Sequence, residues 1–206
     1  MAGEEPFITT LEALEARYGR PHERSLFKET SWLTAPYRAL IEAAPMVIIA
    51  SSGPGGLDCS PRGDAAGFVR ILDDGTLALP DRRGNNRVDT LRNIVSDPRI
   101  GLLFLIPGWN ETLRVNGTAG LSIEPELLAS FAVEGKPPLC VMLVHITSVY
   151  FQCARAILRS GLWDPSRHAD QAQLPSVGQM IKAAQSDFDA AAFDEGLAER
   201  QKTTLY

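Results

Sequence analysis

The sequence is poor in the residues that most often mark a metal site or a disulfide framework. It has three cysteines and three histidines, and both sets are scattered along the chain without a Cys-x-x-Cys pair. It also lacks a GxSxG elbow, a P-loop and a GxGxxG turn. We therefore expect no metal centre and no disulfides, and the usual signatures of hydrolases, nucleoside triphosphatases and Rossmann dehydrogenases are missing.

Long apolar runs and an excess of positive charge are lacking too. The apolar segments 46–50 and 102–106 are far too short to cross a bilayer, and the chain does not open on a basic segment followed by an apolar one. Its 20 basic and 25 acidic residues leave a net charge of −5, which disfavours a surface that binds a phosphate polymer. We predict a cytoplasmic protein that binds neither membranes nor nucleic acid.

The overall composition is that of an ordinary globular protein. The chain has 206 residues, of which 45% are hydrophobic and 22% charged, and this length fits one domain of moderate size. We expect a single domain over residues 1–206, with N-terminal helices at about 8–44 and a C-terminal helical extension at about 166–206.

The spacing of β-branched runs and turn residues predicts a mainly β, antiparallel structure with flanking helices. About six strands are expected, at 46–52, 68–72, 76–79, 99–106, 112–122 and 139–150. Short helices are expected at 11–18, 34–44, 88–95, 125–133, 153–159 and 177–188. So many strands with so few helices between them favour a barrel over alternating βα units.

Arginine dominates the basic residues. The chain has sixteen arginines and four lysines, and every basic residue from Arg62 to Arg99 is an arginine. The segment Pro-Asp-Arg-Arg-Gly-Asn-Asn-Arg at 80–87 lies between a predicted strand and a predicted helix, where N–H groups and the helix dipole favour an anion. Because the guanidinium fork matches phosphate oxygens, the segment predicts an anion site. The alternative is a solvated loop in which the arginines pair with Asp81 and Asp89.

A second polar cluster is Ser60-Pro-Arg-Gly-Asp64. Pro61 and Gly63 are typical of a turn, and such a turn would project Arg62 and Asp64 together. The cluster is either part of a binding site or an ordinary turn with a local ion pair.

A third cluster, Arg159-Ser-Gly-Leu-Trp-Asp-Pro165, follows the last predicted strand. Trp163 can stack on a planar ring and Arg159 can approach that ring. Alternatively, Trp163 caps the barrel and Arg159 pairs with Asp164.

Six motifs in a fixed order resemble those of the pyridoxamine 5'-phosphate oxidase-related flavoproteins, closest to an uncharacterised branch of FMN-dependent enzymes. The resemblance runs from about residue 18 to residue 165. The motifs are Ser60-Pro-Arg-Gly-Asp64, Pro80-Asp-Arg-Arg-Gly-Asn-Asn-Arg87, Asn93-Ile-Val-Ser-Asp-Pro98, Gly101-Leu-Leu-Phe-Leu-Ile-Pro-Gly108, Glu111-Thr-Leu-Arg-Val-Asn-Gly117 and Arg159-Ser-Gly-Leu-Trp-Asp-Pro165.

The resemblance implies an antiparallel split β-barrel of Greek-key type, which forms a homodimer and binds FMN in two symmetric clefts between the subunits. It puts the phosphate on Arg82, Asn85, Asn86 and Arg87, with Arg62 and Arg114 nearer the ribityl chain or the ring. It puts Arg159 and Trp163 in the other subunit. The implied cofactor-binding residues are Arg62, Asp81, Arg82, Asn85, Asn86, Arg87, Arg114, Arg159 and Trp163.

The function that the resemblance implies is an FMN-dependent oxidoreductase acting on a small-molecule substrate or electron donor, with no catalytic residue assigned. A non-catalytic flavin carrier or redox sensor, or a barrel that binds a deazaflavin or haem, stays open. Two differences argue against vitamin B6 oxidation. Gln152-Cys153 replaces an expected His-Cys pair, and no Arg-x-His pattern follows Asp164.

Overall fold

A computed structural model describes residues 7–206 of the chain. Its strands are β1 (Met46–Gly53), β2 (Gly56–Gly63), β3 (Arg70–Asp73), β4 (Thr76–Pro80), β5 (Arg99–Leu105), β6 (Thr112–Ser122) and β7 (Val141–Gln152). Its α-helices are α1 (Leu11–Tyr18), α2 (Glu23–Phe27), α3 (Ala35–Ala43), α4 (Asp89–Ser96), α5 (Pro125–Ser130), α6 (Arg155–Ser160), α7 (Val177–Ala184), α8 (Ala190–Asp194) and α9 (Leu197–Thr203).

The seven strands form one antiparallel sheet in the order β2-β1-β5-β6-β7-β4-β3. Strands β5, β6 and β7 are consecutive neighbours, and β4 lies beside β7, which is a Greek-key arrangement. Within the described part of the chain the two edge strands, β2 and β3, do not pair with each other, so the barrel is split. The prediction of a mainly β split barrel with flanking helices is confirmed.

Strand β2 corrects the sequence analysis, which expected about six strands and a turn at residues 60–64. Residues 56–63 instead pair with β1 along their whole length, from Met46↔Gly63 to Gly53↔Gly56. The segment has few β-branched or aromatic residues and contains Pro61, so propensity alone did not identify it. It folds as a strand because it lies at the edge of the sheet, where a proline is tolerated.

Each expected helix has a counterpart in the structure, but α2 at Glu23–Phe27 was not expected and α5 ends at Ser130, three residues before its expected end. Helix α1 ends at Gly19, which has φ of 72°, as the glycine in the sequence predicts. The helix expected at 177–188 ends earlier, at Ala184, and α8 turns back to pack against α7. The two helices come close at Gly178, where a Cβ atom would lie 2.5 Å from the carbonyl oxygen of Ala190. None of the described helices has the length and apolar composition to cross a bilayer.

The main hydrophobic core lies on one face of the sheet. Alternate residues along the strands are buried, such as Val47 and Ile49 in β1 and Leu113 and Val115 in β6. Helix α3 covers this face through Ile41, which is fully buried. The strand period of two leaves much of the opposite face free, apart from the part of β4 and β7 that packs under α5 in a second, smaller buried cluster.

Candidate anion-binding cleft

A cleft of about 750 Å³ opens where β2 and β4 end and α4 begins. Segment 136–140, which leads into β7, forms its far wall. The lining residues are Pro61, Arg62, Gly63, Phe68, Pro80, Asp81, Arg82, Arg83, Gly84, Asn85, Asn86, Val88, Leu91, Lys136, Pro137, Pro138, Leu139, Cys140 and Tyr206.

Five of the nine residues expected to bind a cofactor line this cleft together. Arg62 comes from the end of β2, and the loop after β4 contributes Asp81, Arg82, Asn85 and Asn86. The sheet order explains why the end of β2 and the loop after β4 lie together. Strands β2 and β4 lie near opposite edges of one strongly curved sheet, and α4 connects the loop back to β5.

The loop before α4 has an unusual backbone. Asn86 and Val88 have φ of 59° and 52°, the left-handed region that is rare for a β-branched residue such as Val88. Val88 is also the N-cap of α4 and has no side chain that can hydrogen-bond to the helix. The first N–H groups of α4 therefore keep their capacity to bind an anion.

Arg62 is fixed by a hydrogen-bond chain through two residues that the sequence analysis did not single out. Its Nη2 donates to Oγ1 of Thr90, 3.2 Å away, and that hydroxyl donates in turn to Asp58. Thr90 is buried, and Ser60 also donates to Asp58, at 2.8 Å. Asp58, Ser60 and Arg62 share one face of β2 by the strand period, so the strand aims the guanidinium at the cleft.

Arg82 is tied more firmly than Arg62. Its Nε donates to Oδ2 of Asp64 at 2.8 Å and its Nη1 to the carbonyl oxygen of Phe131 at 2.8 Å. Burial raises the pKa of Asp64, but hydrogen bonds from Tyr206, the Ala65 N–H and Arg82 outweigh that effect, and the net pKa is lowered. Arg82 and Asp64 therefore form an ion pair whose opposite charges cancel.

The remaining charges leave the cleft positive. Arg83 lines the cleft and forms no ion pair with any described residue, and Lys136 lines the opposite wall. The carboxylate nearest to Arg62 in an ion pair is Asp81, with 4.0 Å between Nε and Oδ1. Apart from the Arg82–Asp64 pair, three cations thus stand against one carboxylate.

Two titratable groups at the base of the cleft are shifted towards their neutral forms. Burial raises the pKa of Asp81, and the nearby charge of Arg62 opposes that shift. Burial and the charge of Asp81 raise the pKa of Cys140 to about 11, against a smaller opposing effect of Arg62. The Cys140 thiol is therefore protonated at neutral pH and is not a nucleophile.

The other four expected residues lie outside the cleft lining. Arg87 is exposed, and its Nε donates to Asp89 at 2.8 Å. Arg114 lies on the outer face of β6, where its Nη1 donates to the hydroxyl of Tyr150 at 3.0 Å.

The last motif of the sequence analysis is also outside the cleft. Arg159 is exposed in α6 and does not pair with Asp164, whose ionic partner is Arg167. Trp163 donates from its indole nitrogen to the carbonyl oxygen of Trp109 at 2.8 Å. Within one chain, then, the structure does not bring Arg114, Arg159 and Trp163 to the other five residues.

A family model described as pyridoxamine 5'-phosphate oxidase matches residues 33–153, more than half of the chain. The chain belongs to the pyridoxamine 5'-phosphate oxidase family. The matched region runs from just before α3 to just after β7 and so covers the whole sheet. No curated protein sequence gives a significant match.

Several solved structures resemble the chain at low identity, and similarity at this level transfers neither a ligand nor an activity. Group A Streptococcus HupZ is 20% identical over 58% of this chain and 93% of its own, with a TM-score of 0.49. General Stress Protein 26 from Bacillus anthracis is 11% identical over 55% and 88%, with a TM-score of 0.44. The FAD binding protein from Mycobacterium smegmatis is 12% identical over 60% and 97%, with a TM-score of 0.42.

Sequence reasoning missed several residues that shape the cleft of this family member. The alternation of Asp58, Ser60 and Arg62 is a strand signal that could have revealed the network behind Arg62. Lys136 and Tyr206 had no such signal, because only the tertiary fold brings them to the cleft.

Proposed function

We propose that the protein is an FMN-dependent oxidoreductase and that the cleft binds the FMN phosphate. The observation that carries this proposal is the excess of positive charge in the cleft beside the uncapped start of α4. Outside the neutral Arg82–Asp64 pair, Arg62 and Arg83 face one lining carboxylate, Asp81, and Nζ of Lys136 on the opposite wall donates to the main-chain oxygen of Tyr206. A phosphate monoester carries about −1.5 to −2 near pH 7, so the positive side chains of the cleft favour its binding.

The phosphate contacts follow from which groups are available. Arg83 supplies a guanidinium group without an ionic partner among the described residues, and the ionic partner of Arg62, Asp81, is 4.0 Å away. This proposal therefore assigns Arg62 to the phosphate and not to the ribityl chain or the ring. Asn85 and Asn86 supply amide groups beside the α4 N-terminus. Arg82 shapes the cleft through its bonds to Asp64 and Phe131. The expectation that Arg82 and Arg87 bind the phosphate stays a prediction. It requires Arg87 to leave its exposed pair with Asp89, and Arg82 to contact the phosphate while paired with Asp64.

The ring end of the cofactor is completed by a second copy of the chain in this proposal. Ile48, Leu103, Arg114 and Tyr150 form one half-buried row across the outer face of β1, β5, β6 and β7. A homodimer that packs these faces together buries their apolar part. It also gives Arg159 and Trp163 of one subunit a route to the cleft of the other.

The chemistry is a transfer of electrons between a small molecule and the flavin, which accepts or donates a hydride when bound. Arginine side chains near the ring stabilise the negative charge of its reduced form, the role proposed for Arg114 and Arg159. Cys140 does not attack the substrate, since its pKa of about 11 keeps the thiol protonated. The substrate is a small organic molecule whose identity the cleft does not fix.

A flavin-binding protein without turnover, such as a carrier or sensor, is the second candidate. This candidate is favoured because none of the described residues that line the cleft is a histidine, the most common general acid or base. A cleft that binds deazaflavin or haem instead of FMN is the remaining alternative from the sequence.

One purified sample separates these functions. We expect added FMN to give a bound flavin spectrum, the FMN-loaded protein to have the mass of a dimer by light scattering, and NADH or NADPH consumption to rise with enzyme concentration. FMN binding without reductant consumption supports the carrier or sensor. Binding of deazaflavin or haem but not FMN overturns the proposal, and a monomeric FMN complex overturns its dimeric part.

A further inference from the structure

Tyr206 reaches the cleft from the far end of the chain and contacts three charged residues, of which two line the cleft and one lies beside it. Its hydroxyl donates to Oδ1 of Asp64 at 2.6 Å, and its ring lies 5.5 Å from the guanidinium carbon of Arg82. Its main-chain oxygen accepts a hydrogen bond of 3.2 Å from Nζ of Lys136. These contacts join Tyr206 to both walls of the cleft.

The contact is specific to Tyr206 within its segment. Residues 197–205 are exposed apart from one half-buried position in α9, and the neighbouring Leu205 is 61% exposed. If the hydrophobic effect alone drove this contact with the cleft, the apolar Leu205 would be buried there in preference to the phenol of Tyr206. Tyr206 is selected instead because it offers a hydroxyl to a buried carboxylate and a ring to a cation.

The helices before Tyr206 form a unit of their own. Asp194 of α8 accepts hydrogen bonds from the hydroxyl of Ser176 and from the N–H of Gly178, at 2.5 and 2.8 Å, and so fixes α8 to the start of α7. Arg200 of α9 donates to the carbonyl oxygens of Glu195 and Phe193. Tyr206 therefore connects a small helical unit to the cleft.

We propose that Tyr206 is a cofactor-binding residue and that the C-terminal helical unit, through it, closes the cleft and slows the release of bound FMN. This inference rests on the proposed function and deepens it. The cleft keeps about 750 Å³ with Tyr206 among its lining residues, so the side chain narrows the opening without filling it. Its aromatic face beside Arg82 is placed to pack against a planar or ribityl group of the ligand.

The test compares FMN release from the parent protein, Tyr206→Ala and Tyr206→Phe. We expect release to become about tenfold faster in Tyr206→Ala, which loses the ring, the equivalent of about 1.4 kcal/mol. Tyr206→Phe keeps the ring and loses the hydrogen bond to Asp64, so its release should accelerate only about threefold. Iodide should also quench the bound flavin more strongly in Tyr206→Ala, because the opening is wider.

Tyr18→Ala is the matched control, since Tyr18 is 77% exposed in α1 and distant in sequence from the cleft residues. It should release FMN at the parental rate. Parental release and quenching in both Tyr206 variants overturn the inference while leaving FMN binding intact. Failure of the parent protein to bind FMN overturns the proposed function as well. If Tyr206→Ala does not fold, the FMN release rate of Tyr206→Phe tests the inference, and a parental rate in that variant overturns it.

Discussion

A guanidinium can bind a phosphate strongly only if a nearby carboxylate does not already neutralise it, and the arginines of this protein differ in that respect. Arg82 has Asp64 at 2.8 Å, and Arg87 has Asp89 at the same distance. Arg62 has its nearest ionic partner, Asp81, at 4.0 Å and is held instead by the neutral hydroxyl of Thr90. At the residue scale, Arg62 is therefore the guanidinium that the fold positions without neutralising.

Thr90 supplies the first prediction at this scale. In Thr90→Val the buried hydroxyl between Arg62 and Asp58 is lost with little change in volume, so Arg62 is no longer held towards the cleft. One net hydrogen bond is worth about 0.5–1.5 kcal/mol, so FMN affinity should fall about twofold to tenfold by fluorescence titration. Riboflavin, which has no phosphate, should bind as it does to the parent.

Thr90→Ser is the matched control, because it keeps the hydroxyl and should keep the parental preference for FMN over riboflavin. A merely structural role for Thr90 predicts a different pattern, in which both ligands weaken together. An unchanged preference in Thr90→Val, alongside a reduced one in Arg62→Ala, would reject the positioning role and keep Arg62 in the site.

The sequence identified the arginines at this scale but not their partners. Sixteen arginines against four lysines marked an anion site, and Arg62 and Arg82 do line the cleft. The pairing of Arg82 with Asp64 depends on the distance between β2 and the loop after β4, and residue types do not encode that distance. For this reason, the sequence could not show which arginine is neutralised by a carboxylate.

At the scale of elements, the cleft depends on how closely α4 packs against the β1–β2 hairpin. Asn93 of α4 donates to the hydroxyl of Ser51 in β1 at 3.2 Å and to the carbonyl oxygen of Gly56 in β2 at 3.4 Å. Gly53 permits this approach, because a Cβ atom there would lie 2.4 Å from Oδ1 and 3.0 Å from Cα of Asn93. The position of α4, and with it the anion site, is thus fixed from the end of β1.

Gly53→Ala tests this packing. The added methyl group must displace Asn93 and α4, and overpacking of this kind costs about 1–3 kcal/mol in the free energy of unfolding. The control is Gly55→Ala in the same turn, where a Cβ atom has no neighbour within 4 Å. It should change stability by less than about 0.5 kcal/mol. Urea unfolding measures both, and equal stabilities of the two variants would contradict the account.

Element positions were predictable from the sequence where the pattern was strong. The long strand β6, at Thr112–Ser122, was expected at the same residues, because its alternation and flanking turn residues are clear. Strand β2 was missed because edge pairing, and not its own composition, makes it a strand. The early end of α7 was missed because it depends on α8 folding back onto Gly178.

At the scale of the whole molecule, the cleft is a positive region in a protein with a net charge of −5. Concentrating cations in one concave site attracts a small anion while the rest of the surface repels large polyanions. The cleft is also where distant parts of the chain meet, from Arg62 to Tyr206. A family resemblance over residues 18–165 could imply the barrel and its cofactor, but it stops before Tyr206.

Whether the cleft binds the FMN phosphate through Arg62 is tested by titrating the parent protein and Arg62→Ala with FMN and with riboflavin at one fixed ionic strength. The two ligands differ only in the phosphate, so their affinity ratio isolates the anion site. A charge-assisted hydrogen bond is worth about 1.5–3 kcal/mol. We therefore expect the parent protein to prefer FMN and Arg62→Ala to lower this preference about tenfold to a hundredfold. Equal affinity of the parent for FMN and riboflavin, or the same preference in Arg62→Ala, would contradict this expectation.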